Sequence, residues 1–172
     1  GPWLMEIKGL GRIEAGNALG LFTLALIAGP VLIGIVDRSI GHRREVLAAM
    51  HSLGALLLAV MAAGAPHYPL SEWFGVTAVP AQVDAALFVL IGIAVSTQPL
   101  LYGMTRQLVD AQNAGKALSA INLAFFLGAA LMQSTTGVVA TLFGLPAVLL
   151  FMAATLIAGT IVFLACTQPS KS

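Results

Sequence analysis

Long uncharged apolar stretches alternate with short charged segments along the whole chain. Asp, Glu, Lys and Arg are missing from four stretches, residues 15–36, 46–71, 85–105 and 117–170. An α-helix needs about 20 apolar residues to cross the roughly 30 Å hydrocarbon core of a bilayer. The first three stretches therefore hold one helix each. The last holds two, because the Pro of Gly144-Leu145-Pro146 stops one helix and favours the start of another. The predicted spans are residues 15–36, 46–65, 84–105, 116–140 and 146–166.

The composition places this protein in the membrane and argues against several functions. The chain is 59% hydrophobic and 9% charged, whereas soluble domains are about 45–50% apolar and about 25% charged. We therefore expect an all-α, polytopic membrane helix bundle whose solvent is lipid. The sequence contains no basic tract, so we expect no nucleic-acid partner. The three histidines are dispersed and the single cysteine lacks a nearby base, so we expect no metal, no cofactor and no catalytic residues.

Basic residues alternate between the two sides of the predicted bundle. The segment between the first two spans contains three arginines, and residues 66–84 contain no Lys or Arg. The next connection contains two basic residues, the turn at 141–145 contains none, and the tail at 167–172 contains one. The positive-inside rule assigns the richer side to the cytoplasm. The sequence thus predicts a cytoplasmic C-terminus, with Lys8 and Arg12 as exceptions on the outer side.

The strongest local motif is GIVDRSIGHRR at residues 34–44, between the first two spans. We expect Gly34 to let helices approach closely and Gly41 to permit the tight turn. Asp37 is suited to accept hydrogen bonds at a neighbouring helix N-terminus, and the two final arginines to pair with phosphates or carboxylates. An ordinary positive-inside loop has a similar composition, so composition alone leaves both interpretations open.

Polar residues inside the spans are unevenly distributed, which is informative because polarity within a bilayer is costly. Asn122, Phe126 and Gln133 share one helical face. They either form a cavity wall or join helices through hydrogen bonds worth on average about 0.6 kcal/mol. His51 is a candidate either for proton coupling or for a structural role, and Gln98-Pro99 predicts a kink. Two ladders of small residues predict helix packing, formed by Gly16 and Gly20 and by Ala120, Ala124 and Gly128.

The motif resembles the Gly-x-x-x-Asp-Arg-x-Gly-x-Arg-Arg loop of the major facilitator superfamily (MFS), which occurs after the second helix and, in a weaker copy, after the eighth. Four spans follow the motif here, which fits the second copy. Residues 1–10 and 113–137 also resemble the seventh-to-eighth helix junction and the eleventh helix of a bacterial subgroup, although Lys116 stands where that subgroup usually has Arg. The residues assigned to the motif are Gly34, Asp37, Arg38, Gly41, Arg43 and Arg44. The spacing differs slightly, with two residues rather than three before Asp37 and two rather than one before Gly41.

The resemblance implies the C-terminal half of a bacterial MFS transporter in the inner membrane. Residues 1–14 would then be the end of the seventh helix and an outer loop, residues 15–166 the eighth to twelfth helices, and residues 167–172 a cytoplasmic tail. A six-helix N-terminal half would precede Gly1 and complete a central cavity for a small solute, reached by alternating access. Candidate cavity residues are Asn17, Thr23, Gln98, Tyr102, Asn122, Phe126 and Gln133.

Two other functions remain open on the sequence alone. A non-transporting membrane scaffold or assembly subunit could have the same five spans, and a membrane-embedded enzyme is a less favoured possibility because the His and Cys residues are dispersed. The sequence does not identify the solute, since uncharged polar side chains are compatible with many substrates and fold does not fix function.

Overall fold

A computed structural model describes residues 1–73, 75 and 79–167, and this part of the chain is helical without any β-strand. A single π-helical turn at Trp3–Ile7 precedes α1, and a single 3₁₀ turn at Ala111–Asn113 precedes α6. The α-helices in this part of the chain are α1 (Arg12–Ile40), α2 (Arg43–Ala63), α3 (Pro69–Trp73), α4 (Ala81–Ala94), α5 (Gln98–Leu108), α6 (Ala114–Phe143) and α7 (Leu145–Cys166).

Among the described residues, five helical segments are long and apolar enough to cross a membrane. Each contains one of the predicted spans and extends beyond it by a few residues at one end or both, except that α2 stops at Ala63 rather than at residue 65. The segments are Arg12–Ile40, Arg43–Ala63, Ala81–Leu108, Ala111–Phe143 and Leu145–Cys166. Of the predicted tail, Thr167 ends the described part, and residues 168–172 lie outside it.

The chain therefore forms a bundle with two distinct ends. We call the end that holds the α1–α2 turn and residue 167 the basic end, and the end that holds residues 1–11, 64–73, 75, 79–80 and Gly144 the opposite end. Gly41 terminates α1 with a φ of 69°, a left-handed conformation that a residue with a Cβ rarely adopts.

Helix α2 lies at the centre of the packing. It contacts α7 most extensively and also packs on α4, while α1 packs mainly on α4. Near the basic end, Ile33, Leu47 and Leu100 form a small buried cluster from α1, α2 and α5. A larger cluster towards the opposite end contains Leu58 and Met61 of α2 and reaches residues 3 and 4 of the N-terminal segment.

The third span is interrupted in its middle. Helix α4 ends at Ala94 and α5 begins at Gln98, with Pro99 in its first turn. Interrupted backbone within a bilayer is tolerated only where protein or a water-filled cavity surrounds it. Here Ser96 and Thr97 are each 2% exposed. The Ser96 hydroxyl donates to the Gly92 carbonyl over 2.6 Å and so satisfies one of the backbone groups beside the break.

Helix α6 lies at the periphery of the described bundle. It contacts α7 and α5, yet none of its residues is buried. Its hydroxyl side chains donate mostly to the backbone of their own helix, as Ser119 does to the Gly115 carbonyl. Ala120 and Ala124 of the predicted ladder are exposed. On α1, no atom lies within 4 Å of a Cβ built on Gly16 or Gly20. Neither ladder has a helix partner within the described residues.

Candidate functional site

The turn between α1 and α2 is closed by an ion pair within the motif. Arg43 Nε donates to Asp37 Oδ1 over 2.7 Å and to Oδ2 over 3.0 Å. The Asp37 carbonyl also accepts from the Gly41 amide over 2.9 Å. Both charged side chains are partly exposed, at 29% and 18%, so solvent weakens the attraction. Arg43 is the first residue of α2, so Asp37 accepts at the N-terminus of the neighbouring helix, from a side chain.

The motif makes a close contact with a glycine of α5 that the sequence did not indicate. A Cβ built on Gly103 of α5 would lie 3.1 Å from Arg43 Cζ and Nη1. By contrast, no atom lies within 4 Å of a Cβ built on Gly34. The Arg43 guanidinium therefore lies directly on the backbone of α5. The glycine that permits this close contact is Gly103, and not Gly34 of the motif.

The second arginine of the motif reaches the C-terminal end of α7. Arg44 Nη2 donates to the Leu164 carbonyl over 2.8 Å, and Nε donates to Thr167 Oγ1 over 3.1 Å. The last carbonyls of a helix lack intrahelical partners and carry partial negative charge, so a cation is favoured there. Two adjacent arginines therefore connect α2 to α1, α5 and α7 at the basic end. Arg38, the third arginine of the motif, is exposed.

Two of the candidate cavity residues are in direct contact. The Tyr102 hydroxyl of α5 donates to Asn122 Oδ1 of α6. Asn122 is exposed and Tyr102 is half-buried, so the bond lies at the surface of the described bundle. Phe126 and Gln133 lie on the same face of α6 as Asn122, and both are exposed.

The other candidates are spread over the bundle. Asn17 lines an open groove between α1 and α4 at the opposite end, together with Glu14 and Gln82. The Thr23 hydroxyl donates to the Leu19 carbonyl of its own helix over 2.9 Å. Gln98 is half-buried at the first position of α5, next to the interruption of the third span. The described contacts thus join only Tyr102 and Asn122 among the seven candidates.

A buried polar cluster at the opposite end was missed by the sequence analysis. Trp3 Nε1 donates to Asp84 Oδ2 over 2.7 Å, and Lys8 Nζ lies 3.2 Å from the same oxygen. The Asp84 side chain is fully buried and that of Lys8 is 4% exposed. One signal could have revealed the pair. Lys8 departs from the alternation of basic residues, and Asp84 is the acidic residue that begins the third predicted span.

The comparisons with known proteins agree with the helical architecture. The family model of the Major Facilitator Superfamily matches residues 1–172. The chain belongs to the major facilitator superfamily. No curated protein and no solved structure matches it. As an MFS member the chain is a multi-pass membrane protein of a transporter family. The helices long and apolar enough to cross a membrane, among the described residues, have the bilayer as their solvent.

Proposed function

We propose that this MFS chain is the C-terminal half of a bacterial secondary transporter that moves a small polar solute by alternating access. The observation that carries the proposal is the polar face of α6. Asn122 bonds to Tyr102, Gln133 is exposed on the same face, and α6 has no buried residue. Amide side chains facing hydrocarbon would lose their hydrogen bonds to water at a cost of several kcal/mol, about 2–7 per group. A polar cavity removes that cost.

The second half of the cavity is proposed to come from a six-helix N-terminal half of the same protein. Small residues on α1 and α6 support this, because Gly16, Gly20, Ala120 and Ala124 remain exposed. Small residues allow close helix contacts in membranes, and these positions have no partner within the described bundle. The groove beside Asn17 would face the same partner or the solute path.

We further propose that the basic end faces the cytoplasm of a bacterial inner membrane, which makes the C-terminus cytoplasmic. Three arginines, Arg38, Arg43 and Arg44, lie in or beside the α1–α2 turn at this end. Positive side chains in short loops are retained on the cytoplasmic side. In that orientation Lys8 and Asp84 lie on the outer side, and their mutual pairing removes the apparent violation of the rule by Lys8.

Uptake by proteoliposomes tests the transport proposal. The protein is expressed with its upstream coding sequence, and uptake of radiolabelled sugars, amino acids, organic acids and nitrate is compared with empty liposomes. Saturable uptake of one class is expected, and Asn122→Leu and Gln133→Leu should raise KM more than they lower kcat, because both amides would contact solute. Thr155→Val on α7 is the matched control, since its hydroxyl donates to the Phe151 carbonyl of its own helix.

The alternatives predict different outcomes. A non-transporting scaffold gives no saturable uptake for any class, and it should instead co-purify with a stoichiometric membrane partner. We propose that the chain is not an enzyme, in line with its transporter family. Uptake that is unaffected by both amide substitutions would contradict the assignment of the α6 face to the solute path while leaving transport itself intact.

A further inference from the structure

Three residues at the opposite end of the bundle form a polar group with buried side chains, and we call them the Trp3–Lys8–Asp84 cluster. Lys8 Nζ donates to the Gly64 carbonyl over 2.8 Å and to the Val79 carbonyl over 2.9 Å, besides its 3.2 Å ion pair with Asp84 Oδ2. It also lies 5.7 Å from the centre of the Trp3 ring, a distance at which a cation and an indole attract.

The cluster joins parts of the chain that are distant in sequence. Residues 1–10, which we call the strap, fold back on themselves, since the Leu10 amide donates to the Leu4 carbonyl over 2.9 Å. Lys8 connects the strap to Gly64 after α2, to Val79 before α4, and to Asp84 in the first turn of α4. Gly64 and Val79 themselves pack tightly, because a Cβ on Gly64 would lie 2.7 Å from Val79 Cγ2.

This arrangement is poorly explained as a device for stability alone. Burying two charges costs several kcal/mol per ion, and apolar residues of similar volume often stabilise a protein equally well or better. Moreover, Asp84 Oδ1 is buried without any hydrogen-bond partner among the described residues, and unpaired buried polar atoms are rare in folded proteins. The carboxylate is thus held through one oxygen only, so the contact can be broken at lower cost than a fully satisfied one.

The position of α4 would allow the helix to move once the Asp84 contact is lost. Asp84 lies in the first turn of α4, and the C-terminus of α4 lies at the interruption between Ala94 and Gln98. An interruption of helical hydrogen bonds is a site where a rigid element can pivot. The strap therefore fastens the free end of a helix whose other end is a potential hinge.

We propose that the Trp3–Lys8–Asp84 cluster is a latch, which holds the strap and α4 closed over the outer end of the bundle and opens during the transport cycle. The placement of the latch on the outer side and its opening in the transport cycle rest on the proposed function. The attachment of the strap to α4 rests only on the contacts described above. In the closed state Lys8 occupies the two carbonyls and the carboxylate. In the open state water hydrates Lys8 and both Asp84 oxygens, and α4 pivots at residues 95–97.

Trp3 is a built-in reporter for the latch. The chain contains two tryptophans. Trp3 is 5% exposed and Trp73 is 82% exposed, so Trp73→Phe leaves Trp3 as the single tryptophan of these 172 residues, and any upstream tryptophan is likewise replaced by Phe. Fluorescence quenching by acrylamide and iodide is measured on this variant in lipid nanodiscs. A latch that opens and closes gives two Trp3 fractions, one protected and one accessible to quencher.

Two substitutions then break the latch without touching the polar face of α6. Asp84→Asn and Lys8→Met, each combined with Trp73→Phe, should raise the accessible Trp3 fraction several-fold and shift its emission to longer wavelength, with helical circular dichroism unchanged. Glu6→Gln is the matched control, because Glu6 is an exposed carboxylate on the same strap, and its quenching should equal that of the background.

The double variant Lys8→Met/Asp84→Asn covers the case in which a single substitution prevents folding, because it leaves no unpaired buried charge. An accessible Trp3 with intact helicity in that variant supports the latch. A Trp3 that stays protected in all variants, or a double variant that loses its helical structure, overturns the proposal in favour of a static contact. These readouts need no solute, so a failure of the transport assay is distinguishable from a failure of the latch.

Discussion

His51 Nε2 and Thr97 Oγ1 form a 2.8 Å hydrogen bond that joins α2 to the interruption of the third span. Thr97 is 2% exposed, and His51 is half-buried, eight residues beyond the start of α2. A buried hydroxyl and imidazole satisfy each other here, in a region where water is scarce. The bond therefore fixes the position of the break relative to the central helix, whether or not His51 also moves a proton.

Removal of the Thr97 hydroxyl should destabilise the bundle. Thr97→Val keeps the shape of the side chain but leaves the His51 nitrogen unpaired, which costs about 1–3 kcal/mol. Thr97→Ser keeps the hydroxyl and serves as the control. Thermal unfolding in detergent micelles should show a clear decrease in Tm for the first variant only. Equal Tm values for the two variants would mean that the bond contributes nothing.

Two glycines of the same helix should respond oppositely to alanine. A Cβ at Gly29 collides with the Ser96 side chain, whereas a Cβ at Gly34 meets no atom within 4 Å. Overpacking costs typically about 1–3 kcal/mol, while Ala is favoured over Gly within a helix by about 0.8–1.0 kcal/mol. Gly29→Ala should therefore lower Tm, and Gly34→Ala should leave it equal or raise it. A comparable loss in both variants would contradict the described α1–α4 packing.

The contrast between Gly29 and Gly34 shows which parts of the structure the sequence can predict. Span number and approximate position follow from charge and hydropathy, because the bilayer imposes a fixed length on every crossing helix. Which glycine permits close packing depends on the neighbour that lies opposite it, and no local pattern specifies that neighbour. Gly34 was therefore singled out from the motif, whereas Gly103 and Gly29 make the close contacts.

The ion pair between Asp37 and Arg43 should contribute modestly to stability. Arg43→Ala leaves Asp37 with no arginine partner, and we expect a loss of about 1 kcal/mol because both side chains are partly exposed. Arg38→Ala is the matched control, since Arg38 is exposed in the same motif. Unfolding measured at low and high salt checks the origin of the effect. Added salt should reduce the difference between Arg43→Ala and the parent chain.

The Tyr102–Asn122 bond can be measured by a double-mutant cycle. Tyr102→Phe, Asn122→Ala and the double variant are compared by thermal unfolding. We expect a coupling energy near 0.6 kcal/mol, the average for hydrogen bonds between membrane helices. Additive losses would show that α5 and α6 are not joined through these side chains. A larger effect on solute KM than on stability would favour a role in the cavity.

The candidate site was harder to predict than the fold for a physical reason. Polar side chains in a membrane helix are visible in the sequence, but the sequence does not say whether they face solute, another helix or their own backbone. Thr23, for example, bonds within α1, while Asn122 bonds across to α5. The Lys8–Asp84 pair was missed because its members are far apart in sequence, with Lys8 before the first predicted span and Asp84 at the start of the third.

The contacts of Arg44 have a consequence for the order in which the protein matures. Arg44 near the start of α2 binds Leu164 and Thr167, which are 120 and 123 residues further along the chain. Because α7 is also the most extensive packing partner of α2, the central helix must wait in the membrane until α7 has left the ribosome. The packing of α2 is thus completed only after α7 has been synthesised, and a nascent chain stalled before α7 should present an unfilled α2 surface to insertion chaperones and membrane proteases.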